Sequence, residues 1–327
     1  MTSYAVPPIY AAFVWWFSTG AVLLLVGLSA RFDALRMLVA GGLTAAALYG
    51  LAATANDPSV GGAAIAFTAT ILLWGAQEIA FLAGWLTGPR PLPCPPEARG
   101  LRRLGFALAA ILYHEFSLIA CGIATLVLTW NAPNQIGLWT FAALWGLRQS
   151  AKINLYVGVP VTNDELMPLP VQFLKSYFAR RSVGTFFTVS VTLAIAVLAI
   201  LIQRIVEVAV TPFEIVGLTL VATLFALGVV EHWFMLLPLP AITLWGWGVG
   251  KQTLREGTMA LDHIVREQAS SAPAKEARAA EPRPCARQRL EDQFRQQFRA
   301  QHACKDLASA GLAIGSESAA TGNGRTS

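Results

Sequence analysis

Charge is what this chain of 327 residues most lacks: Asp, Glu, Lys and Arg make up 13% of it, against about 25% in a soluble domain. The few charges are unevenly placed. Long stretches before Lys251 carry almost none, whereas the residues beyond it are dense in Arg, Glu, Gln and Lys. A single fold with a mixed-charge surface facing water along its whole length is thereby excluded. Two parts with different solvents follow: a membrane region over 1–250 and a water-facing tail over 251–327. Cysteine is also scarce. Cys94, Cys121, Cys285 and Cys304 form no CxxC pair and have no zinc-like spacing to histidine, so free thiols are expected. Walker A, GxGxxG, HExxH and GxSxG patterns are all missing, which removes the commonest nucleotide, metalloprotease and hydrolase signatures. Residues 1–8 lack a basic n-region, so the first apolar run reads as a span rather than a cleaved signal.

What is present is long apolar runs. About 20 residues are needed to cross a bilayer as a helix, and candidate spans lie at 10–29, 37–55, 63–87, 105–130, 138–157, 184–203 and 213–237. The expected fold is all-α, a polytopic bundle of about seven transmembrane helices. Alternate connections differ sharply in charge. One set holds Arg31, Arg36, Arg90, Arg99, Arg102, Arg103, Lys175, Arg180 and Arg181, whereas the other holds only Arg204. Basic loops stay in the cytoplasm, which predicts a periplasmic N-terminus, a cytoplasmic C-terminus and a multi-pass protein of a bacterial inner membrane. The same bias accounts for the net charge of +5, so the lipid bilayer and not nucleic acid is the expected partner.

The apolar stretch after Pro238 is too short for a confident further span, and Trp245 and Trp247 read as interface anchors. In the tail, 251–268 and 285–304 have amphipathic helical patterns, with Leu290, Phe294 and Phe298 on one face of the second. Residues 269–284 read as an Ala/Pro/Ser linker, and the last dozen as disordered. The loop around Leu166–Arg181 interleaves apolar and basic residues. It predicts an amphipathic segment on the cytoplasmic membrane face, with Lys175, Arg180 and Arg181 toward headgroups, or else a docking surface.

Ionisable residues inside spans are rare and each is a functional hypothesis. Here they are Glu78, His114, Glu115, Arg148, Lys152, Glu231 and His232, with Gln77 and Asn154 as uncharged companions. Each lies about five to ten positions from the cytoplasmic end of its span, roughly 7–15 Å in depth, so four helices place polar groups in one layer. Arg148 and Lys152 share a helix face and need anions, for which Glu78, Glu115 and Glu231 are available. The bland reading is a network that sets helix order and register. A carboxylate-bridged metal pair is disfavoured because His114–Glu115 and Glu231–His232 are adjacent pairs, diverging by about 100° around the helix instead of sharing a face; no metal ligands are assigned. His114 or His232 as axial ligand to bacteriochlorophyll or another tetrapyrrole is chemically simpler. A proton or solute path along the layer is a further reading.

Beyond these patterns, the strings 74–90 (WGAQEIAFLAGWLTGPR), 112–115 (LYHE), 132–141 (APNQIGLWTF), 150–159 (SAKINLYVGV), 173–182 (FLKSYFARRS) and 231–240 (EHWFMLLPLP) resemble the photosynthetic complex assembly protein 2 family, the PuhE proteins of phototrophic bacteria. The resemblance covers roughly 10–250. It implies a membrane assembly factor for reaction-centre or light-harvesting complexes, with an influence on bacteriochlorophyll supply. Its partners would be photosynthetic subunits or other assembly factors. The alternatives it leaves open are a membrane enzyme or regulator of bacteriochlorophyll biosynthesis that uses the polar layer, and a proton or precursor transporter. The resemblance supplies no catalytic residues.

Overall fold

The computed structural model describes residues 2–237, apart from 163, 165 and 166, together with 244, 245, 247 and 248. Over these residues the chain forms seven α-helices: α1 Thr2–Val26, α2 Asp33–Thr54, α3 Val60–Leu82, α4 Gly100–Leu128, α5 Ile136–Val157, α6 Thr185–Gln203 and α7 Pro212–Phe234. Contacts within the chain divide it into Met1–Ile264 and Val265–Ser327. The second unit, and with it the tail readings above, lies outside the described residues.

All but α5 are long and apolar enough to cross a membrane. Five polar residues (Arg148, Gln149, Ser150, Lys152 and Asn154) dilute the second half of α5. Its 22 residues still reach about 33 Å, and its contacts fix its course. Near its start Thr70 of α3 donates to the Gly137 carbonyl (3.2 Å), and three turns on Arg148 meets Glu78 of α3. Ile136 packs against Gly217 of α7, and Leu147 against Gly228. Helices α3, α5 and α7 therefore run parallel and in register. Helix α1 joins them through Tyr10–Thr68 and Val22–Gly75. Gly50 lies against Ala69 while Ala40 clusters with Ala76, and Glu115 meets Gln149 while Gly122 lies against Phe141, so α2 and α4 run the other way. Helix α6 starts beside α5 through Asn154–Ser190 and ends at the short connection to the start of α7, so it too is reversed. The helices alternate up and down, and α5 packs lengthwise between α3 and α7. This is a multi-pass membrane protein.

The core lies where α1, α3, α5 and α7 meet, around Ala11, Ala63, Ala66, Phe67, Ile71, Ile136, Leu220 and Leu224. Small residues let the helix axes approach closely there, the usual packing device where lipid gives no hydrophobic drive. Polar stitching holds the adjoining end. Buried Asn134 donates to the carbonyls of Thr54 and Asp57 and accepts from the amide of Ile136. Thr211 and Glu214 form a capping box at the start of α7.

Three expectations need correction. The span expected over 63–87 ends at Leu82, because the chain turns at Gly84 (φ +83°) and runs back along α4. The amide of His114 donates to the Thr87 carbonyl (3.1 Å), and the amide of Arg90 donates to the Ala109 carbonyl (3.2 Å). A side chain at Gly88 would place its Cβ 2.1 Å from the Ala109 oxygen. Hydropathy alone does not distinguish this return segment from helix.

The loop expected on the membrane face instead closes the bundle. Leu169–Tyr177 forms a 3₁₀ segment whose Val171, Leu174 and Tyr177 are buried against Phe81 and Ala110. Its apolar residues are taken up by the helix ends, leaving Arg180 and Arg181 exposed.

Trp245, read as an interface anchor, is only 5% exposed and donates to the Trp16 carbonyl (3.0 Å). Trp247 stacks on Phe17. Trp245 and Trp247 thus pack on α1.

Candidate functional site

The layer of ionisable residues is organised by α5. Successive residues on a helix point about 100° apart, so its run Arg148-Gln149-Ser150-Ala151-Lys152-Ile153-Asn154 faces every neighbour in turn. Arg148 reaches Glu78 of α3 (3.2 Å). Lys152 and Gln149 both donate to Glu115 of α4, at 2.5 and 2.6 Å. The Ser150 hydroxyl pairs with His232 Nε2 of α7 (2.8 Å), and Asn154 donates to Ser190 of α6 (3.0 Å). Glu231 of α7 accepts from Trp15 Nε1 of α1 (3.1 Å). The residues expected in the layer fall into three separate groups and not one pool, Glu78–Arg148 with Glu231, Glu115–Lys152, and His232–Ser150–Asn154, with His114 outside all three.

A cavity of about 460 Å³ opens beside the first group, between α1, α3, α5 and α7. Its walls are largely apolar, including Val22, Leu23, Ile71, Trp74, Leu147 and Leu224. Glu78, Arg148, Lys152 and Glu231 supply its charged groups. The 158–182 segment covers its basic end with Thr162, Met167, Leu174, Tyr177 and Phe178. This lid is held by backbone bonds from Val159 to Ala179, from Arg181 to Val159 and from Val161 to Met235. Arg103 reinforces it, donating to the Tyr177 carbonyl (2.7 Å) and lying over the Tyr156 ring. Asp164 bridges Thr162 and Arg180. Burial opposes ionisation of Asp164, yet the Thr162 hydroxyl, its own backbone amide and the Arg180 guanidinium hold the carboxyl below its ordinary range.

The histidines behave differently from one another. His232 uses both ring nitrogens, Nε2 with Ser150 and Nδ1 toward the Gly228 carbonyl (2.7 Å), so no nitrogen is open for an axial bond. His114 is wholly buried, stacks on Phe81 at 4.2 Å, and has no hydrogen-bond partner at either nitrogen among the described residues. Neither histidine is among the described residues that line the cavity. Among the described residues no three of His, Cys, Asp and Glu converge as a metal site.

Sequence reading missed Trp15, Gln149, Ser150, Ser117 and Ser190. All are uncharged, and a search for ionisable residues passes over them. For Gln149 and Ser150, a position inside a charged helical run was the available signal.

These features define a polytopic α-helical membrane protein whose charged residues are paired across helices beside an internal cavity. The chain belongs to the family described as "Protein of unknown function (DUF3623)", which matches residues 1–256. It is 40% identical over 239 residues to an "uncharacterized 30.4 kDa protein in puhA 5'region" of Rhodobacter capsulatus, covering 72% of this chain and 87% of that one. No solved structure matches.

Proposed function

We propose that the chain is a membrane assembly factor for photosynthetic complexes of the reaction-centre or light-harvesting kind, and that it catalyses no reaction. The observation that carries this reading is the relative in the puhA 5' region, puhA being a reaction-centre gene of a phototrophic bacterium. The resemblance to the PuhE proteins points the same way. The site is consistent with it: Glu115, Lys152 and His232 are spent on bonds between helices, as in a framework that fixes helix order. On this reading the basic end faces the cytoplasm, and the protein works in the cytoplasmic or intracytoplasmic membrane. Its partners are nascent photosynthetic subunits or other assembly factors.

A second reading is favoured by the cavity: handling of a small molecule that governs bacteriochlorophyll supply. Both are tested by deleting the gene in its phototrophic host. Absorption spectra of the membranes report assembled complexes, and solvent extracts report total pigment and precursors. The assembly reading expects assembled complexes to fall, without accumulation of a biosynthetic precursor, and to recover on complementation. Unchanged complexes would overturn it. An accumulated precursor would transfer the role to pigment supply.

A further inference from the structure

Among the described residues, Arg148 is committed to Glu78 and Lys152 to Glu115, and no cation lies within 4 Å of Glu231. Glu231 lines the cavity, and its recorded bond is the one from Trp15 to Oε1. Glu78, in the same wall, has Oε1 buried without a partner. Arg148 Nε is likewise buried without a partner, but its guanidinium is already paired with Glu78, so Glu231 is the lining carboxylate with no cation of its own, at a depth where an uncompensated carboxylate is costly. The cavity's remaining surface is mostly apolar, and its 460 Å³ falls in the roughly 300–1,000 Å³ range of small-molecule sites.

From this arrangement we propose that the cavity binds an amphipathic organic cation, its ammonium head on Glu231 and its apolar body along Val22, Leu147 and Leu224. An anionic head would meet two carboxylates and would have to compete with Glu78 for Arg148 and with Glu115 for Lys152. This assignment rests on the cavity alone and is independent of the assembly role.

The test uses the full chain in neutral phosphatidylcholine nanodiscs. Dodecylamine and dodecanoate, matched in chain length and opposite in charge at neutral pH, are titrated against its thermal unfolding midpoint and tryptophan fluorescence, with empty nanodiscs as partition control. A ligand of the folded state raises the midpoint in proportion to its saturation. Saturable stabilisation by dodecylamine, with dodecanoate at least about tenfold weaker, is expected; tenfold corresponds to about 1.4 kcal/mol. Glu231→Gln should remove the preference and Glu231→Asp should retain it. Equal binding of the two probes, preference for dodecanoate, or an undiminished preference in Glu231→Gln would overturn the proposal. Should Glu231→Gln fail to fold, the wild-type comparison of the two probes still decides.

Discussion

The Arg148 guanidinium lies 3.2 Å from the Glu78 carboxylate, yet the two side chains differ in access: 42% exposed for Arg148 and 11% for Glu78. The carboxylate is set into the α3 wall while the guanidinium lies along the cavity surface. One bond thus both ties α5 to α3 and gives the cavity its polar patch. Replacing either partner leaves the other charged at membrane depth. Glu78→Gln or Arg148→Met should each destabilise by about 1–3 kcal/mol, below the roughly 3–5 of a fully buried pair because the Arg148 side is accessible. The double variant should recover part of that loss, as read from thermal unfolding of the purified protein in a double-mutant cycle. Additive losses would show that the pair is not coupled.

At Gly88 the constraint is steric. A Cβ there would press on the Ala109 carbonyl, so Gly88→Val must push the return segment off α4. A loss of about 1–3 kcal/mol is expected, with faster proteolysis within 83–99. Wild-type proteolysis rates would contradict the close approach.

The lid has its own pH response. The carboxyl of Asp164 lies below its unfolded value of 3.8. A lowered folded pKa contributes stability above the unfolded value, lost as pH falls through the folded one. Hydrogen-exchange protection of 158–182 should therefore show no contribution from Asp164 titration between neutral pH and about 4, and lose Asp164's share below that. Arg180 is 71% exposed, so Asp164→Asn should cost only about 1 kcal/mol or less at neutral pH and abolish this acid-dependent part.

His232 is a packing and bonding residue in this geometry. His232→Ala should lower stability by about 2–4 kcal/mol through two lost hydrogen bonds and a void. Ser150→Ala, which leaves Nε2 without a partner, should cost about 1–2. Neither should remove a visible absorption band from the purified protein. A band present in the wild type and lost in His232→Ala would restore the pigment-ligand reading.

Orientation follows from loop charge and is checked directly. A C-terminal green fluorescent protein fusion should fluoresce and a C-terminal alkaline phosphatase fusion should be inactive. The reverse pattern would invert the bundle.

Sequence alone determined the all-helical, multi-pass membrane class and the long apolar runs that become its helices. Those properties depend on local composition. Pairing was not legible. Arg148 and Lys152 lie one turn apart on α5, and spacing gives them one shared set of carboxylates. The structure sends Arg148 to Glu78 on α3 and Lys152 to Glu115 on α4. That partition depends on which helices flank α5 and at what rotation, a matter of packing among segments distant in the chain. The return of Thr87 and Gly88 along α4, the closure of the lid by Val171 and Leu174, and the cavity that leaves Glu231 facing open space have the same origin. Apolarity states that a residue leaves water, but only the tertiary structure decides whether lipid, another helix or a cavity receives it.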